Sequence, residues 1–164
     1  ALLRAPQPEQ RWTGLRPLHI PEPATPNRPL EGRLLGGNLT VLFAEAAAGR
    51  LALDPSTILV LEDVSETSYR VDRMLVALAQ GGHLRSVQAV VLGDFTDCSP
   101  GKFDVPVEQT LLDCLRPLGV TVFDGLPIGH GARNRPLLHG AWAKLHTEAD
   151  GTGTLEVGLP GRPC

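Results

Sequence analysis

Glu62 and His130 are the side chains whose surroundings in the sequence best suit acid–base chemistry. Glu62 closes the apolar run Thr57-Ile58-Leu59-Val60-Leu61-Glu62, and His130 sits between glycines in Leu126-Pro127-Ile128-Gly129-His130-Gly131. A carboxylate that orients an imidazole, and an imidazole that accepts a proton, are two parts of a relay that activates a hydroxyl or thiol. The third part is not evident. None of Ser56, Ser65, Ser68, Ser86 and Ser99 lies in the G-x-S-x-G turn that exposes a nucleophile above a sheet. Cys98 follows an acidic loop, which raises a thiol's pKa and makes it a poor nucleophile.

Each of these residues also has a plainer reading. A carboxylate at a strand end serves elsewhere as a helix cap or faces solvent, and a glycine-flanked histidine occurs in ordinary turns. Asp63 and Glu66 sit near a helix start, where the macrodipole favours negative charge, so capping is expected of both. His19, His83, His139 and His146 share no ligand spacing with one another or with the cysteines. A closed zinc site needs four converging ligands, so neither a metal nor another cofactor is expected.

The elements that must position the pair follow from periodicity. Residues 30–36 form a strand running into Gly36-Gly37, and Asn38 caps a helix in which Leu39, Leu42, Phe43 and Ala46 recur at helical spacing until Gly49. Residues 57–61 read as a strand buried on both faces. Ser65 is the expected cap of a second helix with Val71, Met74, Leu75 and Leu78 on one stripe, closed by Gly81-Gly82. Residues 87–92 are a strand, 105–118 a helix and 120–123 a strand. Residues 138–146 and 155–157 are the arms of a hairpin that turns at Asp150-Gly151. Strands and helices thus alternate and end on a hairpin. The expected fold class is α/β, with a mixed sheet that is parallel inside and antiparallel at one edge, flanked by helices. In such sheets ligands bind beyond the carboxyl ends of the strands, where Glu62, the loop from Gly93 to Cys98 and the loop carrying His130 all fall.

Composition narrows the function classes. The 164 residues carry 15 Lys and Arg against 18 Asp and Glu, a net charge of −3. No basic stripe is available to neutralise a phosphate backbone, so nucleic acid is not an expected partner. No apolar run is long enough to span a bilayer, so a membrane is not one either. Cys98, Cys114 and Cys164 are odd in number and widely spaced, which argues against a disulfide framework and for a reducing compartment. Pro6, Pro8, Pro17, Pro21, Pro23, Pro26 and Pro29 all precede residue 30. Residues 1–29 are therefore expected to be a proline-rich linker, with a short edge strand at residues 15–20 at most. Residues 30–164 form the domain. A chain that begins with Ala1 suits a piece of something longer.

Four motifs in order carry a family resemblance: Glu31-Gly32-Arg33-Leu34-Leu35-Gly36-Gly37-Asn38-Leu39, Leu61-Glu62-Asp63-Val64 with Tyr69 and Asp72-Arg73 beyond it, Val91-Leu92-Gly93-Asp94-Phe95, and Leu126-Pro127-Ile128-Gly129-His130-Gly131. From about Glu31 to Leu145 the chain resembles the C-terminal domain of LD-carboxypeptidases, serine peptidases of family S66. The resemblance implies a swivelling β/β/α-like domain of a cytoplasmic, two-domain enzyme with a Ser-His-Glu triad split between the domains. Glu62 and His130 map to the glutamate and histidine, and the serine and oxyanion hole belong to an N-terminal nucleophile domain. The implied reaction releases terminal D-alanine from murein tetrapeptide during peptidoglycan recycling. Arg133 and Asn38 are candidate substrate contacts, and a homodimer is implied as in other members. Two alternatives stay open: a microcin C self-immunity-type peptidase, and a catalytically silent binding domain. Alone, the chain is expected to be inactive.

Overall fold

The computed structural model describes residues 9–22 and 28–159. Pro6, Pro8, Pro23, Pro26 and Cys164 lie outside them. Among the described residues, seven strands close into a barrel in the order β1-β5-β4-β3-β2-β6-β7, with β7 returning to β1. They are β1 (Gln10–His19), β2 (Leu30–Asn38), β3 (Thr57–Val64), β4 (Val87–Thr96), β5 (Thr121–Asp124), β6 (Trp142–Thr147) and β7 (Gly153–Leu159). The stretch β2-β3-β4-β5 is parallel, whereas β6, β7 and β1 run antiparallel to their neighbours. The mixed sheet was legible, but its open antiparallel edge is corrected: closure removes the edges.

Alternation along the strands sorts the apolar residues into two cores. Ile58 and Val60 of β3, Ala89 and Val91 of β4, Leu34, Phe123 and Leu155 point into the barrel. Leu59 and Leu61 of β3 and Val90 and Leu92 of β4 point outward instead, against three helices. These are α1 (Leu39–Ala47), α2 (Ser68–Gln80) and α3 (Val107–Leu115). The anticipated stripe of α2, Val71, Met74, Leu75 and Leu78, is buried in this outer core. Each such leucine, when fully buried, contributes about 1.5–3 kcal/mol.

Of the differences from the sequence reading, which include a hairpin arm that begins at Trp142 and not at residue 138, three change how an element starts, ends or pairs. Ser65 does not cap α2: its amide donates to the Thr96 carbonyl at 2.9 Å, its φ is 57°, and the helix begins only at Ser68 after Thr67. The chain first completes its pairing with β4 and then turns. The helix expected over residues 105–118 is α3 followed by a 3-10 turn at Arg116–Leu118, because Pro117 lacks the N–H that would continue the α ladder.

The third difference concerns the proline-rich start. β1 is paired on both sides, with β7 from Gln10 to Leu15 and with β5 from Arg16 to His19, so this segment is neither a linker nor an edge. A register shift between Trp12 and Leu15 moves the strand from one partner to the other, and Gly14 in that interval has φ 72°. A glycine in the left-handed region is the usual residue of such a bulge. Pro17 precedes a second irregularity, between Pro17 and His19, where a missing donor is tolerated. Among the described residues no helix is long and apolar enough to cross a membrane.

Candidate functional site

Glu62 lies near the carboxyl end of β3, two residues beyond Val60. It continues the row of Ile58 and Val60 to the mouth of the barrel, where it is 6% exposed. A carboxylate so deep needs a donor. His130 supplies it: Nδ1 lies 2.8 Å from Glu62 Oε2, while the histidine side chain is half exposed. An ionised carboxylate accepts and does not donate, so the contact places a proton on Nδ1, and in the neutral ring Nε2 then keeps its lone pair. Glu62 is the one hydrogen-bond partner of this imidazole among the described residues.

The loop that presents His130 is pinned to the barrel rather than draped over it. Leu126 and Ile128, 0% and 5% exposed, plug the mouth as part of the inner core. Leu126 N donates to the Leu92 carbonyl at 3.1 Å, and Asp94 N donates to the Ile128 carbonyl at 2.8 Å. Arg135 N bonds the Pro127 carbonyl at 2.9 Å and closes the loop on itself. Inside it, Gly129 N donates to Asn134 Oδ1 at 3.3 Å.

Glycines make the approach possible. Gly129 has φ 125°, and a Cβ there would sit 3.0 Å from the Asp94 carbonyl oxygen and 3.1 Å from Glu62 Oε2. A Cβ on Gly93 would meet the Ile128 carbonyl oxygen at 2.7 Å. These positions exclude side chains so that strand end and loop can touch.

Asp63 faces the other way. It is 2% exposed and accepts from Asn38 Nδ2 (2.9 Å), Thr40 N (3.0 Å), Thr40 Oγ1 (2.9 Å) and its neighbour Val64 N (2.8 Å). Its capping role therefore falls on α1, not on the helix that follows it in sequence. Asn38 caps the same helix, accepting from Val41 N at 3.0 Å. Glu66 pairs with Arg70 at 3.4 Å, and its second oxygen lies 3.5 Å from Thr40 Oγ1.

Arg133 is 70% exposed and reaches Asp94 at 3.4 Å beside the His130 loop. The Cys98 thiol is pushed above its ordinary pKa, first by burial and then by the charges of Asp63, Glu66 and Asp97. The sequence pointed to the acids; burial is the larger cause. Asp94 was not singled out from the sequence. Its signal was available, since it ends a buried strand on the side where ligands bind.

Comparison with known proteins bears on this geometry. The sequence profile described as the LD-carboxypeptidase C-terminal domain matches residues 31–145. The murein tetrapeptide carboxypeptidase of Pseudomonas aeruginosa is 39% identical over 117 residues, which are 71% of this chain and 38% of that protein. The crystal structure of a muramoyltetrapeptide carboxypeptidase from Oxalobacter formigenes superposes with a TM-score of 0.73 at 31% identity, covering 92% of this chain and 51% of that one. A microcin C7 self-immunity protein shares the fold, with a TM-score of 0.67 at 21% identity over 89% of this chain and 42% of that one. The chain spans about two fifths of the length of the sequence relatives it matches.

Proposed function

The chain belongs to the LD-carboxypeptidase family, as its C-terminal domain, and we propose that it supplies the glutamate and histidine of a serine peptidase triad. The 2.8 Å contact between His130 Nδ1 and Glu62 Oε2 carries this reading. Glu62 fixes the tautomer and orientation of the ring, and Nε2 then takes the proton of a serine hydroxyl contributed by a nucleophile domain. The serine oxygen attacks the peptide carbonyl, His130 returns the proton to the departing amine, and water cleaves the acyl-enzyme by the same route.

The proposed substrate is murein tetrapeptide, cut at its L,D bond to release D-alanine in the cytoplasm during peptidoglycan recycling. Arg133 is the proposed contact for a substrate carboxylate, since guanidinium matches carboxylate geometry and this one is largely exposed. The second amide hydrogen of Asn38, whose other polar atoms hold Asp63 and α1, is a proposed donor. Family membership supports assigning the domain to the swivelling β/β/α type.

The test is D-alanine release from the tetrapeptide by the protein with and without its nucleophile domain. Activity is expected in the longer form alone. Cleavage of an aminoacyl-nucleotide in place of the tetrapeptide would move the assignment to the self-immunity-type reaction. No hydrolysis by the longer form would leave a silent binding domain.

A further inference from the structure

The segment that follows the His130 loop is hydrogen-bonded to both β1 and β2 before β6 begins at Trp142. On the β2 side it is held by the backbone: Gly140 N bonds the Leu34 carbonyl at 2.7 Å, and Leu34 N bonds the Ala141 carbonyl at 2.9 Å. On the β1 side one side chain does the work of a ladder rung. Gln10 Nε2 donates to the Pro136 carbonyl at 2.8 Å, and Gln10 Oε1 accepts from Leu138 N at 3.1 Å. Donor and acceptor of one carboxamide thus satisfy one short stretch of chain, 126 and 128 residues away in sequence.

Gln10 is itself fixed. It lies in the β1–β7 ladder opposite Val157, and Glu9 N bonds the Val157 carbonyl at 2.9 Å. The near end of the His130 loop is also braced from β1, where Arg16 reaches Asp124 at 2.6 Å. That pair is exposed and contributes little. The Gln10 contacts differ because Leu137 and Leu138 pack on the inner core, so the segment they pin is continuous with the plugs Leu126 and Ile128.

We propose that Gln10 is a positioning residue for His130, acting through residues 136–138 to hold the histidine's loop against Glu62. This rests on the reading of His130 as the base. Orientation carries much of a catalytic rate, and displacement of a loop by about 1 Å can cost roughly a hundredfold in turnover. Gln10→Met keeps the volume and removes both hydrogen bonds. Gln10→Glu keeps the acceptor and sets a carboxylate against the Pro136 carbonyl.

Two measurements test it. In the isolated chain, amide exchange of residues 126–138 in Gln10→Met should quicken about tenfold, while the amides of β3 and β4 keep the parent's protection. In the two-domain protein, kcat on murein tetrapeptide should fall about tenfold or more with KM unchanged, Gln10→Glu falling as well, and the effect should vanish in a His130→Ala background. Parent-like loop exchange and parent-like kcat in Gln10→Met overturn the proposal, as does quickened exchange spread evenly over all strands. Failure of the base reading is separately visible: His130→Ala would then retain full activity, whatever the exchange of the loop.

Discussion

Glu62 and Asp63 are consecutive yet serve opposite sides of β3: Glu62 meets His130 at the barrel mouth, and Asp63 meets Asn38 and Thr40 at the start of α1. The two-residue repeat of a strand sends neighbours to opposite faces, so two carboxylates can hold unrelated jobs at one strand end. Changes at the two positions should separate into loss of activity and loss of stability.

Glu62→Gln in the two-domain protein should lower kcat by about 10,000-fold with little change in KM. The amide presents a donor to Nδ1, the ring takes the wrong tautomer, and its Nε2 no longer accepts. His130→Ala should lose activity to a similar extent. Full hydrolysis by His130→Ala would remove the relay from consideration.

Asp63→Ala should leave the geometry of Glu62 intact but destabilise the chain by about 3 kcal/mol, the range for hydrogen bonds to a buried charge. It strips the acceptor from Asn38, Thr40 and Val64 together. Urea denaturation of the isolated chain measures this, and a midpoint equal to the parent's would contradict it.

Gly129→Ala tests the close approach of loop and strand. At φ 125° an L side chain is strained by about 1–3 kcal/mol, and its Cβ would press on Glu62 Oε2 and the Asp94 carbonyl. The circular dichroism spectrum should match the parent's while activity of the two-domain protein collapses. An active Gly129→Ala variant would mean that the loop is not bound to this path.

The strands buried on both faces were legible because such burial leaves continuous apolar runs such as Ile58 to Leu61, and the stripe of α2 because it repeats at helical spacing; closure of the sheet around an inner core was not. The Glu62–His130 pair was legible as two candidates, each admitting a plainer role, and 68 residues of chain separate them. What local sequence does not carry is pairing across distance. β1 takes its strand character from β5 and β7, which lie about a hundred residues or more away, and its prolines argue locally for the opposite. Asp63 likewise caps the helix before it, a choice made by the sheet register that places Asn38 beside Glu62.

The Cys114 thiol is pushed up to about 12, by burial first and then by the neighbouring carboxylate of Asp72. The folded state therefore keeps a proton that the unfolded chain gives up near its ordinary value of 9.0. This contribution to stability is fully present below about pH 9 and is lost as pH rises towards about 12. The fall in stability over that window should be shallower in Cys114→Ala than in the parent, measured by denaturation at successive pH values. Alkylation of Cys114 at pH 8 should also be slower than that of a free thiol, since the thiolate is the nucleophile. Rapid alkylation in the folded chain would contradict the burial.

Removing β1 should open the barrel even though the matched family region begins only at residue 31. A fragment of residues 30–159 keeps both triad candidates and six strands. It loses the partner of β5 and β7, the buried Leu15, and the Gln10 clamp on residues 136–138. Two strand edges would then face solvent, and unpaired edges recruit other chains. The fragment should elute as oligomers in size-exclusion chromatography and unfold without a cooperative transition, whereas residues 9–159 should be monodisperse and cooperative. A monodisperse fragment of residues 30–159 with the parent's denaturation midpoint would show that β1 is dispensable to closure, and would place the whole of the domain's stability in β2 to β7 and the helices.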